Sequence, residues 1–129
     1  MFLNTKSKFI WLNGNFQPFD ETNVHLLSNT LHYGIGVFEG VRAYETSEGG
    51  AIFRLYDHTK RLFDAASKVN ITIPYSINEL CDAQKESMSK NNLLEGYIRP
   101  IVFLGSESMG LRSQDSLSVN VAIACWEWP

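Results

Sequence analysis

Between residues 57 and 92 two helical periodicities follow one another with no strand between them, and strand-like alternation lies on both sides. Asp57 stands where a helix N-cap belongs, and Leu62, Phe63, Ala66 and Val69 recur at helical spacing, predicting a helix over 58–69. After Pro74, Ser76 followed three residues later by Glu79 forms a capping box. Ile77, Leu80, Cys81, Gln84 and Met88 then trace a stripe that ends at Asn91-Asn92, while Asp82, Lys85, Glu86 and Lys90 form the solvated side. Parallel sheets need a crossover, usually a helix, between neighbouring strands. A helix pair flanked by runs of strands instead predicts an α+β fold, a mostly antiparallel sheet with two α-helices packed on it.

The flanking segments supply the strands. Residues 9–19, FIWLNGNFQPF, place apolar bulk around Asn13-Gly14, the strongest short-range signal for a hairpin, and Pro18 pushes the second arm toward a sheet edge. Residues 20–36 read as a loop with a short helical turn. Residues 37–45 read as a strand, and Ser47-Glu48-Gly49-Gly50 turns the chain into a second strand at 51–56. Two further runs, at 96–105 and 118–128, close the chain.

A length of 129 residues is one domain's worth and long enough for a core that needs no disulfide or metal. With 44% hydrophobic, 12% aromatic and 19% charged residues, the composition is that of an ordinary globular domain. A net charge of -3 excludes a surface built from a basic excess, so nucleic acid is not an expected partner. No stretch has the length of a membrane span or the pattern of a secretory leader, and Cys81 and Cys125 fall in no metal or redox spacing. The expectation is a cytoplasmic protein with reduced thiols.

Several chemical constellations fail. Gly34, Gly36 and Gly40 do not fit a dinucleotide fingerprint, because the sixth position is Glu39 in a strand-like run. His25, His32 and His58 share no ligand spacing, so no metal is expected. Neither Ser28 nor Ser106 sits in a nucleophile elbow. Strand alternation says more. It puts Phe38, Gly40, Arg42 and Tyr44 on one face and Val37, Glu39, Val41 and Ala43 on the other. Gly40 has two readings: a place where a ligand lies against the backbone between Phe38 and Arg42, or a residue that relieves crowding or marks a bulge. Tyr97, Arg99, Ile101 and Phe103 likewise share a face, and Tyr97 with Arg99 can receive a carboxylate or simply cover the end of a strand. Arg61 is a surface ion pair with Asp57 or Asp64, or a phosphate clamp.

Taken in order, IWLNG at 10–14, HYGIGVFEGVRAY at 32–44, FRLYDHTKRL at 53–62, ITIPYS at 71–76, YIRPIVFLG at 97–105 and MGL at 109–111 resemble the N-terminal part of branched-chain amino acid aminotransferases. Those are class IV, fold-type IV enzymes that use pyridoxal 5′-phosphate. The resemblance implies that Arg61 holds the cofactor phosphate and that Phe38, Gly40 and Arg42 form the substrate-side strand. It implies that Tyr97 and Arg99 receive the distal carboxylate of glutamate. Tyr33 and the loop Met109-Gly110-Leu111 resemble elements that complete the neighbouring subunit's pocket in a dimer. D-amino acid aminotransferases and aminodeoxychorismate lyases are related alternatives, and VFEGVR and YIRP favour the branched-chain enzyme.

The family's Schiff-base lysine lies in a C-terminal domain beyond the matched segments, and Lys6, Lys8, Lys60, Lys68, Lys85 and Lys90 match no position the family uses for it. Residues 1–129 are therefore expected to be the N-terminal substrate domain of a longer enzyme. They would hold no catalytic residue and, alone, no cofactor or activity. The expected partners are amino acids, 2-oxo acids, the C-terminal domain and further copies of the enzyme. A stand-alone binding or assembly module is the remaining alternative.

Overall fold

The computed structural model describes residues 7–110 and 116–128. The first hairpin pairs β1 (Phe9–Leu12) with β2 (Asn15–Pro18), and Asn13 and Gly14 turn it with φ of 49° and 97°. A single 3-10 turn at Phe19–Glu21 and a five-residue helix α1 (Asn29–Tyr33) follow. Then come β3 (Gly36–Phe38), β4 (Val41–Thr46), β5 (Gly49–Ile52), α2 (Leu55–Lys68), α3 (Ile77–Lys90), β6 (Gly96–Leu104) and β7 (Val119–Trp126). Among the described residues every strand pairing is antiparallel, in the order β2-β1-β7-β6-β4-β5, with β3 also on β6. The fold is α+β, a seven-stranded antiparallel sheet with three α-helices among those residues, the short α1 adding to the two long ones that periodicity predicts.

One face of the sheet and the two long helices make the core. Trp11, Val41, Ala43, Ile98, Val102, Val121, Ile123 and Cys125 are buried with Leu62, Ala66, Leu80 and Met88 of the helices. Gln84, fully buried, donates to Thr59 Oγ1 at 2.9 Å and joins α3 to α2. The capping box holds as the sequence predicts: Ser76 Oγ accepts from Glu79 N–H at 3.0 Å, and Ser76 N–H donates to Glu79 Oε1 at 3.3 Å. At the other end of α3 the buried Asn91 accepts from the Lys8 and Phe9 N–H groups at 2.7 and 2.9 Å. It donates to Phe9 O and Ser87 O, fastening α3 to the start of β1. Backbone polar groups shielded from water need partners, and one amide side chain serves both the helix end and the strand start.

Two boundaries differ from expectation. The predicted strand 51–56 ends at Ile52, and the helix begins at Leu55 with Arg54, not Asp57, as its cap. Arg54 is left-handed, with φ 51°, and this turns the chain so that Leu55 enters the core. Asp57 then lies in the first turn and accepts from Arg54 Nε at 2.8 Å. The predicted strand 37–45 breaks at Glu39-Gly40 into β3 and β4. Its register against β6 runs through the break unchanged, since Phe38 faces Ile101 and Val41 faces Ile98, so there is no bulge. The face alternation predicted for 37–45 consequently survives: Val41 and Ala43 are buried and Tyr44 and Phe38 are exposed.

Candidate active site

The sheet's second face carries no long helix and gathers most of the residues singled out from the sequence. Tyr97, Arg99, Ile101 and Phe103 of β6 are partly exposed there, alternating with buried Ile98, Pro100, Val102 and Leu104. The Arg99 guanidinium lies 4.2 Å from the centre of the Phe38 ring and 5.4 Å from that of Tyr97, and its Nη2 donates to the Tyr97 hydroxyl at 3.0 Å. Arg99 Nε is buried and has no hydrogen-bond partner. A guanidinium held against ring faces keeps its charge and its forked geometry while losing little freedom. Tyr97 is packed in turn by Trp126 and Trp128, with ring centres 5.1 and 4.7 Å away.

Gly40 lies opposite Arg99 in the continuous register, diagonal to Tyr97. A Cβ at Gly40 would overlap the Tyr97 hydroxyl, which fills the space that the missing side chain leaves. Of the two readings the geometry fits relief of crowding, and the crowding group is itself a candidate site residue. Arg42 faces Tyr97 across the pair β4–β6, with its guanidinium 5.9 Å from the Tyr44 ring. Beside Arg99 opens an apolar cavity of about 360 Å³, lined by Ile10, Leu12, Ile101, Phe103, Ala122 and Ala124, with Val24 and Leu31 also in its lining. It has the dimensions of a small-ligand pocket and one cation at its edge.

Tyr33 ends α1 and is exposed, as are Val24, Leu26, Leu27 and Leu31 before it. Asn29 ties this segment to the loop carrying Met109 and Gly110 by donating to Gly110 O at 3.2 Å. Met109 is exposed, and Leu111 lies outside the described residues. The structure thus links the α1 segment to the Met109-Gly110 loop, while neither Tyr33 nor that loop lines the apolar cavity beside Arg99.

Arg61 is on α2, away from this face. Neither helix partner expected for it is taken up: Asp57 pairs with Arg54, and Asp64 receives Lys60 Nζ at 3.0 Å. Arg61 Nε instead lies 2.8 Å from Oε1 of Glu39, and His58 Nδ1 lies 3.1 Å from Oε2 of the same carboxylate. The Glu39 side chain is only 8% exposed, whereas that of Arg61 is 75% exposed. Phe53, Arg54, Asp57, His58 and Arg61 line a surface cavity of about 320 Å³. Sequence reasoning misses the joining of Glu39 to His58 and Arg61. The available signal is a carboxylate on the inward side of a strand between valines, where a charge needs a partner.

His25 Nδ1 accepts from Leu27 N–H, His32 Nε2 lies 2.8 Å from Leu26 O, and among the described residues no group of three or more His, Cys, Asp or Glu side chains could hold a metal ion. Nor is any helix among those residues long and apolar enough to cross a membrane.

The sequence and the fold have known counterparts. A branched-chain-amino-acid aminotransferase of Pseudomonas aeruginosa is 53% identical over 119 residues, which are 92% of this chain and 38% of that protein. One from Escherichia coli K12 is 39% identical over 123 residues, 95% of this chain and 40% of its own length. The crystal structure of a T.th. branched-chain amino acid aminotransferase complexed with N-(5′-phosphopyridoxyl)-L-glutamate superposes with a TM-score of 0.92 at 42% identity, covering 96% of this chain and 42% of that one. The chain therefore spans about two-fifths of the length of the relatives it matches. The sequence model for class IV amino-transferases matches residues 36–129, taking in every strand from β3 onward and both long helices, and the chain belongs to that family.

Proposed function

We propose that this chain is the N-terminal substrate domain of a pyridoxal-phosphate-dependent branched-chain aminotransferase, exchanging an amino group between leucine, isoleucine or valine and 2-oxoglutarate. One observation carries the reading: an apolar cavity on the open sheet face ends at Arg99, whose Nε is buried without a partner. A site that takes both an aliphatic side chain and a second carboxylate needs such an apolar wall with a cation at its edge. Ile101 and Phe103 supply the wall, Phe38 the adjacent ring, and Arg99 with the Tyr97 hydroxyl the carboxylate site. Gly40 seats Tyr97, and Arg42 adds a second cation on the same face.

The residues also fit a phosphorylated cofactor. Arg61 is anchored through Nε and leaves its forked end in solvent beside a cavity, the donor set that a phosphate monoester takes. Pyridoxal 5′-phosphate, when bound, supplies the electron sink for moving the amino group. This chain's residues would hold the phosphate, orient the substrate by its carboxylate and keep water from the aliphatic side chain. The covalent lysine would come from a C-terminal domain, and residues 1–129 alone are proposed to be inactive. Tyr33, Met109 and Gly110 would complete the pocket of a neighbouring subunit in a dimer or larger assembly, and the enzyme would work in the cytoplasm.

Transamination assays on the full-length protein test this directly. L-leucine with 2-oxoglutarate is expected to be turned over, and D-alanine and aminodeoxychorismate are not. Activity on only the latter two would replace the branched-chain assignment, and no activity on any would favour a binding module.

A further inference from the structure

Glu39 sits at the point where β3 hands over to β4, and its surroundings are those of a grip. Its N–H donates to Pro100 O at 3.1 Å, which fixes the backbone to β6. Its carboxylate turns toward α2, where His58 and Arg61, one turn apart, meet its two oxygens at 3.1 and 2.8 Å. A buried carboxylate is costly unless both oxygens are satisfied, and these two side chains satisfy them. Arg61 gains in return. A long, three-quarters-exposed arginine would otherwise sample many rotamers, and holding Nε leaves only its outer nitrogens to be ordered on binding an anion. The neighbouring residue does the same on the other side of the sheet, where the Phe38 ring supports Arg99. Adjacent strand residues therefore hold the two candidate anion-binding arginines on opposite faces.

We propose that Glu39, braced by His58, is a positioning residue that pre-orders Arg61 for the phosphate of the cofactor. This rests on the reading of Arg61 as the phosphate-binding residue. The full-length apoprotein is titrated with pyridoxal 5′-phosphate and with pyridoxal, which lacks the phosphate, and the thermal midpoint of each variant is recorded. Arg61→Ala sets the scale by its loss of preference for the phosphorylated compound. Glu39→Ala is expected to weaken pyridoxal 5′-phosphate binding on the order of tenfold, the size of one side chain's ordering cost, and to leave pyridoxal binding unchanged. The isosteric Glu39→Gln, which keeps the fold if the alanine variant does not, is expected to fall between it and the wild type. Adding Glu39→Ala to Arg61→Ala should cost nothing further. Wild-type or tighter phosphate binding in both Glu39 variants, an equal loss for the two compounds, or a further loss in the Arg61→Ala background overturns the positioning role alone. An unchanged phosphate preference in Arg61→Ala overturns it together with the reading of Arg61.

Discussion

Gly40 and Tyr97 illustrate how a single missing side chain shapes the candidate site. Because the Tyr97 hydroxyl occupies the position of a Gly40 Cβ, Gly40→Ala must push the ring outward and break its contact with Arg99 Nη2. The obstructed group is the outer end of a partly exposed ring packed against Trp126 and Trp128, so ring and neighbours must shift together, and the fold should tolerate the change at a cost of about 1–3 kcal/mol. The carboxylate site should not. In the full-length protein the KM for 2-oxoglutarate is expected to rise about tenfold, the scale of one lost hydrogen bond to a charged group, with little change in the KM for leucine. Steady-state kinetics with the two substrates varied separately would show this split, and an equal rise in both KM values would contradict it. That Gly40 shares a face with Phe38 and Arg42 was legible in the sequence through alternation. That it accommodates Tyr97 was not, because the two residues are 57 positions apart and only the β4–β6 register puts them diagonal to one another.

At the scale of elements, α3 and β7 meet around a buried thiol. Cys125 is fully buried, donates weakly to Ser87 O at 3.3 Å and accepts from Asn91 Nδ2 at 3.2 Å. Burial pushes its pKa up from 9.0 to about 12, and the Asn91 bond only partly opposes this. The folded state therefore prefers the neutral thiol. That preference is fully present below about pH 9, where the unfolded thiol is also neutral, and is lost as pH rises toward 12. Denaturant unfolding between pH 8 and 11 should show the wild type losing stability faster than Cys125→Ala, by up to about 1.4 kcal/mol per pH unit above pH 9. Parallel pH profiles for the two proteins would refute the burial argument. Both long helices were legible as elements because a 3.6-residue stripe and a capping box are local signals. The start of α2 was not, since a left-handed arginine has no sequence signature and Asp57 mimics a cap. The Glu39 grip on His58 and Arg61 was equally hidden, because spacing rules pointed Arg61 to Asp57 and Asp64, whose other partners outcompete it.

Viewed as a whole molecule, the sheet is covered on one face and open on the other. α2 and α3 bury the first face, whereas the second ends in a rim of exposed apolar side chains: Val24, Leu26, Leu27, Leu31, Tyr33, Phe38 and Met109. Isolated exposed apolar residues are ordinary on protein surfaces, but five of them within ten residues, Val24, Leu26, Leu27, Leu31 and Tyr33, two of which line an apolar cavity, mark a surface that another body covers. Under the proposed function the covering bodies are the C-terminal domain and a second subunit. Residues 1–129 expressed by themselves present this face uncovered, so they should associate through it. Size-exclusion chromatography with light scattering is expected to show a mean mass that grows with concentration across the micromolar range. Leu26, 72% exposed, contributes nothing to the core, so Leu26→Glu should shift the chain toward monomer without altering its thermal midpoint. Core substitutions would lower the midpoint instead, which separates loss of association from loss of folding. A strict monomer at every concentration would mean that these exposed apolar side chains are tolerated in water and that no partner covers this face.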